Sequence, residues 1–129
     1  MSNTISMCYN SVKIYIFTVY IATYMEEPNL NYINELAGDD NDFRAVLIGV
    51  IKNELPTEIN EYQDNLAAQN FNAAADNVHK LKHKISVMGM EQSYYLAEKF
   101  ENNLKERSTQ LQAEFGQLLM AMQGFAASL

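Results

Sequence analysis

Apolar residues recur at intervals of three and four over most of the chain, which is the spacing of one face of an α-helix. The first such segment covers residues 30–37. It predicts a short helix that ends at Gly38, because glycine tolerates the left-handed turn that often follows a helix. Asp39 and Asp40 come next and offer side-chain caps for a second helix.

Four longer amphipathic helices are predicted after this one, each with a single apolar stripe. Short connections between them are typical of neighbouring helices that run in opposite directions. The pattern therefore predicts an all-α fold, an antiparallel four-helix bundle with the short N-terminal helix covering one end. The stripes are Phe43, Val46, Leu47, Val50, Ile51, Ile59, Tyr62 and Leu66 in the first; Ala74, Val78, Leu81, Ile85 and Met88 in the second; Tyr94, Leu96, Ala97, Phe100 and Leu104 in the third; and Leu111, Phe115, Leu118, Leu119, Met122 and Phe125 in the last.

Helix-breaking and capping residues set the expected boundaries of these four helices. Pro56 lies within the first stripe, and because proline has no backbone N–H, we expect a kink or a break near Leu55. The other boundary signals are Asn70 or Asn72 as the cap of the second helix, Gly89 at its end, Glu91 near the start of the third, and Ser108 or Thr109 as the cap of the last.

Residues 1–24 differ from the rest of the chain. They contain one charged residue, Lys13, and residues 12–21 alternate in part among β-branched and aromatic side chains, which is a strand-like pattern. The apolar run of residues 14–22 is too short to span a bilayer, and it matches a signal peptide only weakly. We interpret residues 1–24 as an N-terminal extension outside a domain that covers residues 25–129, with Met25 as a candidate start.

Charge and cysteine content narrow the function. Lys and Arg number 9 against 16 Asp and Glu, a formal net charge of −7, which argues against nucleic acid as a partner. Cys8 is the single cysteine, so neither an internal disulfide nor a cysteine-rich metal site can form, and we expect a cytoplasmic protein. No glycine-rich phosphate loop is present, which argues against a kinase that uses ATP.

His79 is the residue most suggestive of chemistry. At 100° per residue, the apolar stripe of its helix falls about 180° to 260° away, so the imidazole should face solvent. Lys80, Lys82 and Lys84 are three of the nine basic residues, and they predict a local positive surface that would attract a phosphoryl group. The neighbours expected within about 60° of His79 are Asn72, Ala75, Asp76, Lys82, His83 and Ser86.

The segment His79-Lys-Leu-Lys-His-Lys-Ile-Ser-Val-Met-Gly-Met90 resembles the signature of histidine phosphotransfer (HPt) domains. That family has an apolar residue two positions after the histidine, a lysine three after and a glycine ten after, which here are Leu81, Lys82 and Gly89. The family's four-helix bundle with a covering helix is similar to the layout predicted for residues 29–129. One position departs from the family pattern, because His83 stands where a glycine is usual.

The resemblance implies a phosphorelay carrier rather than an enzyme. His79 would accept a phosphoryl group from a receiver-domain phosphoaspartate and pass it to another receiver aspartate, with Lys82 supplying positive charge. The implied partners are response-regulator receiver domains and a hybrid sensor kinase, with no nucleic acid or membrane; we expect a monomer. Mg²⁺ would belong to the receiver, and no cofactor is expected on this chain. The residues expected to contact the partner are Ala75, Asp76, His83, Ser86 and Gly89.

Two other functions remain open at the level of sequence. A helical adaptor would bind a protein partner and carry no phosphate. A metal site is the second, because His79 and His83 lie one turn apart on a helix, as zinc-binding histidines do. Lys80 replaces the glutamate of the H-E-x-x-H motif, three lysines would oppose a cation, and only Asp76 is near, so we expect no metal. For Lys80 and Lys84, a solvated face that balances neighbouring acids is as good an interpretation as a functional one.

Overall fold

A computed structural model of the protein describes residues 26–129, which fold into five α-helices with no strand among them. The all-α bundle predicted from the sequence is thereby confirmed. The predictions made for residues 1–24 fall outside the described residues. The helices are α1 (Asn31–Ala37), α2 (Asn41–Ala67), α3 (Phe71–Val87), α4 (Glu91–Lys105) and α5 (Gln112–Ala127).

The core lies between α2, α3, α4 and α5. Helix α3 is central, since it packs against α2 on one side and α4 on the other, while α5 contacts α2 and α4. Tyr62, Phe100 and Phe115 form an aromatic cluster in which Tyr62 meets both phenylalanines edge-on, at ring-centroid distances of 6.2 Å and 5.2 Å. Helix α1 packs on α2 and contributes Ile33, which is completely buried.

Three of the predicted helix ends are confirmed. Gly38 follows α1 with a φ of 57°, and its backbone N–H donates to the carbonyl of Asn34. Asp40 is the N-cap of α2, where its side chain accepts a 2.9 Å hydrogen bond from the N–H of Phe43. Gly89, with a φ of 75°, closes the turn after α3.

Of the kink or break expected near Leu55, the break does not occur, because α2 continues through Pro56. Proline leaves one hydrogen bond of the helical ladder unformed. Leu55 and Ile59 on either side of it are both fully buried, so core packing holds this segment in the helix. Tertiary packing has outweighed the local signal.

The first part of the α2 stripe is also not where the pattern placed it. Phe43, Val46 and Val50 are exposed rather than in the core, and Val46 retains 60% of its accessible surface. Helix α2 has 27 residues and α3 has 17, which corresponds to about 40 Å and 25 Å of length. The N-terminal turns of α2 therefore extend past the end of α3, and continuous burial begins at Ile51.

The cap predicted for the last helix is wrong. Helix α5 begins at Gln112, and Leu111 before it has a left-handed backbone with a φ of 75°. Ser108 caps a turn instead, since its hydroxyl accepts from the N–H of Gln110 at 3.3 Å. The Asn103 side chain holds that turn by donating to the carbonyl of Gln110. Within the described residues, no helix combines the length and the apolar character needed to cross a membrane.

Candidate functional site

His79 lies at the middle of α3 and faces solvent, as the helical spacing predicted. Its side chain is 60% exposed. The helix holds this orientation because the residues on the opposite side, including Val78 and Leu81, are fully buried against the neighbouring helices. The imidazole is therefore accessible to another molecule while its backbone is fixed by the core.

Glu101 on α4 orients the imidazole of His79. Its Oε1 atom lies 2.8 Å from Nδ1 of His79, and the glutamate side chain is only 6% exposed. A carboxylate can only accept hydrogen bonds, so Nδ1 carries the proton in this pair. The other ring nitrogen, Nε2, then has a free lone pair at the edge of the ring opposite the buried carboxylate.

Lys82 belongs to the same network. Its Nζ lies 3.5 Å from the Oε1 atom that binds His79, and 5.3 Å from the centre of the Tyr94 ring. Lys105 approaches the other oxygen of Glu101, also at 3.5 Å. Two ammonium groups and an imidazole N–H thus offset the cost of burying the Glu101 carboxylate.

Lys84 has a structural role. Its Nζ donates to Glu54 at 2.7 Å and to Glu58 at 3.1 Å, which ties α3 to α2. Burial alone would lower the pKa of Lys84, but the hydrogen bonds and charges of the two glutamates outweigh it and raise the pKa above its usual value. Lys84 therefore balances the charge of neighbouring acids, which was one of the two interpretations drawn from the sequence.

The positive surface predicted around His79 is therefore smaller than the sequence suggested. Lys82 and Lys84 both form ion pairs with glutamates. Among the described residues, Lys80 is the member of the three with no such pair. The sequence pattern showed the clustering of bases but not the acids that α2 and α4 bring to them.

One flank of the exposed face is buried, which corrects two expectations. Ala75 is 1% exposed and lies in the core, and the Lys82 side chain is 7% exposed. Helix α4 covers this flank, so the buried part of the α3 surface is wider than the apolar stripe predicted from the sequence. Asp76, His83 and Ser86 remain exposed, and Gly89 is half-buried.

His83 lies beside His79, with ring centroids 5.6 Å apart and ring planes nearly perpendicular at 88°. It also borders a cavity of about 590 Å³ between α1 and the end of α3. Tyr32 and Glu35 of α1 line that cavity, together with Ser86. The residue that departs from the family pattern thus stands between His79 and a recess in the surface.

Gly89 anchors the segment that leads into α1. The N–H of Asn29 donates to the carbonyl of Met88 at 2.9 Å, and the Asn29 side chain lies over Gly89. A Cβ atom at Gly89 would come within 3.0 Å of that side chain. Nearby, the N–H of Ser93 at the start of α4 donates to the Glu26 carboxylate. Glycine is required here for both its backbone conformation and its lack of a side chain.

Glu101 is the site residue that sequence analysis missed, although a signal for it existed. At 100° per residue, Glu101 falls inside the apolar stripe of α4, between Ala97 and Tyr94. A carboxylate at a core-facing position must have a partner or cost free energy. What the pattern could not indicate is which helix supplies that partner.

The described residues contain no group of three or more histidine, cysteine, aspartate or glutamate side chains arranged to hold a metal ion. The site thus presents an accessible imidazole that a buried carboxylate orients, with a second exposed imidazole beside it.

Comparison with protein-family models matches residues 46–127, more than half of the chain, to the Hpt domain. No curated protein and no solved structure matches the chain.

Proposed function

The chain belongs to the Hpt domain family, whose members carry phosphoryl groups in phosphorelays, and we propose that its phosphoryl acceptor is Nε2 of His79. Hpt domains interact with the receiver domains of response regulators. In this proposal, one receiver gives its phosphoryl group to His79 and a second receiver aspartate takes it away. The observation that carries the proposal is the hydrogen bond from Nδ1 of His79 to Glu101.

The hydrogen bond to Glu101 makes His79 a nucleophile with one free nitrogen. The lone pair of Nε2 attacks the phosphorus in line, a new N–P bond forms, and the P–O bond to the receiver aspartate breaks. The aspartate leaves as a carboxylate, and Nδ1 keeps its proton. The ring gains positive charge as the bond forms, and the buried Glu101 carboxylate lies where it stabilises that charge. Return of the phosphoryl group follows the same path in reverse.

Lys82 supports the transfer through its contact with Glu101 and through its charge. Its ammonium contacts the Glu101 oxygen that binds His79, so it helps to hold the carboxylate in place. Its charge also lies near the imidazole, where it would favour an incoming phosphoryl group. We assign Lys82 to positioning and electrostatics rather than to direct attack.

The proposed docking surface is the exposed part of α3 around His79. It comprises Asp76, His83, Ser86 and the half-buried Gly89. Ala75 is left out because it is buried. His83 occupies space that a glycine would leave open, so a partner receiver must accommodate an imidazole there. Mg²⁺ for the reaction would be held by the receiver, and a hybrid sensor kinase is a candidate donor.

The test is to incubate the purified chain with a receiver domain phosphorylated on its aspartate. We expect the chain to acquire a phosphate that is labile in acid and stable in base, as phosphohistidine is. His79→Gln should abolish the label, and His83→Gln should keep it. Both substitutions replace an exposed imidazole on the same helix, so each serves as the folding control for the other.

Two results would contradict the proposal. Label that persists in His79→Gln and disappears in His83→Gln would move the acceptor to His83. Absence of label with every phosphorylated receiver from the source organism would favour an adaptor that carries no phosphate.

A further inference from the structure

The two histidines form a pair whose geometry suits a shared metal ion. Zinc binds imidazole nitrogen at about 2.0–2.1 Å, and two imidazoles at a tetrahedral angle on one ion then have ring centroids roughly 5 Å apart. The observed separation of His79 and His83 is 5.6 Å. Both side chains are exposed and lie one turn apart on α3, so rotation of the His83 side chain about its own bonds can bring one of its nitrogens toward His79.

The nitrogen that a metal needs on His79 is available. Nδ1 is occupied by its hydrogen bond to Glu101, so Nε2 is the nitrogen that has a lone pair in the neutral imidazole. A carboxylate that holds the other nitrogen of a metal-bound histidine is a common arrangement in metalloproteins, because it fixes the tautomer and makes the ligand more basic. Glu101 already stands in this relation to His79 before any ion is bound.

The charge objection to a metal is weaker in the structure than in the sequence. Lys82 pairs with Glu101, and Lys84 with Glu54 and Glu58, so two of the three nearby ammonium groups are already balanced. Lys80 is the third ammonium group, and it lies about 100° round the helix from His79. Glu35 borders the same cavity as His83 and adds negative charge on that side.

We propose that His79 and His83 together bind one divalent transition-metal ion, such as Zn²⁺, and that this ion blocks phosphorylation of His79. The protein supplies two nitrogen ligands, since the described residues contain no third, and water completes the coordination. A metal ion and a phosphoryl group would compete for the same Nε2 lone pair. The blocking effect rests on the proposed function, whereas the metal binding does not.

Zinc binding can be measured directly by NMR, because the chain has only two histidines. The full chain with Cys8→Ser, which removes the one thiol, is titrated with Zn²⁺ while the two imidazole Cε1–H signals are followed. We expect both signals to shift together and to saturate at one zinc per chain. His83→Gln should weaken the zinc response of His79 by about tenfold or more, while Lys80→Gln, which removes an ammonium group and no ligand, should not weaken it.

Other outcomes of the titration would overturn the metal site. It is wrong if only one histidine responds, or if His83→Gln binds zinc as well as the parent does. It is also wrong if zinc binding is detected only when Cys8 is present, because the ligand would then be the thiol.

Labelling by a phosphorylated receiver tests the competition separately. Stoichiometric zinc should slow labelling of the parent and leave labelling of His83→Gln unaffected, and the variant thereby controls for any effect of zinc on the receiver. Equal labelling of the zinc-loaded parent would overturn the competition alone. If no receiver labels the chain at all, the proposed function fails while the result of the titration stands.

Discussion

His79 donates from Nδ1 to Oε1 of Glu101 over 2.8 Å, across two helices and 22 positions of sequence. This contact joins the most exposed part of the site to one of its most buried charges. It also connects His79 to Lys82, because the same oxygen lies 3.5 Å from the lysine ammonium. The orientation of the exposed imidazole is therefore held by side chains that are themselves buried.

Two different substitutions of Glu101 should slow phosphotransfer to different extents. Glu101→Gln keeps an oxygen that can accept from Nδ1 but removes the negative charge, whereas Glu101→Ala removes both. We expect Glu101→Ala to lower the transfer rate on the order of a hundredfold, because the ring loses its orientation, and Glu101→Gln to fall between it and the parent. Transfer from a phosphorylated receiver is timed by rapid quenching, and circular dichroism checks the fold. Equal rates for all three proteins would contradict the positioning role.

Lys82 and Lys80 form a matched pair for testing the electrostatic role. Lys82→Met keeps most of the side-chain volume and removes a buried charge beside Glu101, so we expect transfer to slow roughly tenfold or more. Lys80→Met removes a surface ammonium that pairs with no carboxylate among residues 26–129, and it should change the rate little. The same rapid-quench assay checks both. Similar losses in the two variants would mean that general positive charge matters rather than the Lys82 position.

Lys84→Met should destabilise the fold without touching the site. It leaves the carboxylates of Glu54 and Glu58 without their ammonium, at a cost of about 1–3 kcal/mol in the free energy of unfolding. Urea unfolding at neutral pH measures this cost. Phosphotransfer by the folded variant should remain normal.

The stabilisation from Lys84 should also depend on pH in a defined direction. The folded-state pKa of Lys84 lies above the ordinary lysine value of 10.5, so the contribution is complete below pH 10.5 and is lost as the pH rises through the folded-state pKa. The difference in stability between the parent and Lys84→Met should therefore be constant from pH 7 to 9 and shrink in more alkaline buffer. A difference that shrinks on acidification through neutral pH would contradict this assignment.

Gly89→Ala and Gly38→Ala separate backbone strain from crowding. Both glycines have positive φ, where alanine is strained. Gly38 is strained further, because its ψ of −124° lies outside the left-handed helical region. Only Gly89 also has a neighbour in the way, since an added Cβ meets the Asn29 side chain there and open space at Gly38. We expect each alanine variant to lose about 1–2 kcal/mol or more in urea unfolding. Asn29→Ala should recover part of the loss in the Gly89→Ala background and none in the Gly38→Ala background, and no recovery at Gly89 would rule out the contact.

Local signals in the sequence predicted most of the helices and the exposure of His79. The positions of Gly38, Asp40 and Gly89 marked helix ends correctly, because each acts through its own backbone or a near neighbour. The absence of a break at Pro56 and the exposure of the first turns of α2 have the same cause. Whether a helix continues through a proline, and how far it extends beyond its neighbours, depends on packing between elements that are distant in sequence.

The candidate site was predictable only in part for the same reason. Helical spacing indicated that His79 faces solvent and that His83 lies beside it. It could not show that Glu101 approaches from α4, nor that Lys84 is held by acids of α2, because these contacts span 22 to 30 positions. The sequence pattern overestimated the positive charge at the site, since it counted bases without the acids that the fold brings to them.

The attachment of Asn29 to the turn after α3 has a consequence for how the protein is divided. The segment matched to the Hpt family starts at residue 46, yet Asn29 bonds to Met88 and covers Gly89, and Ile33 fills the core behind it. A fragment trimmed to the shared region would lose these contacts and uncover apolar surface beside the turn that follows His79 and His83. We therefore expect the folding unit to extend well upstream of residue 46, and shortened versions to report on a loosened site rather than on the native one.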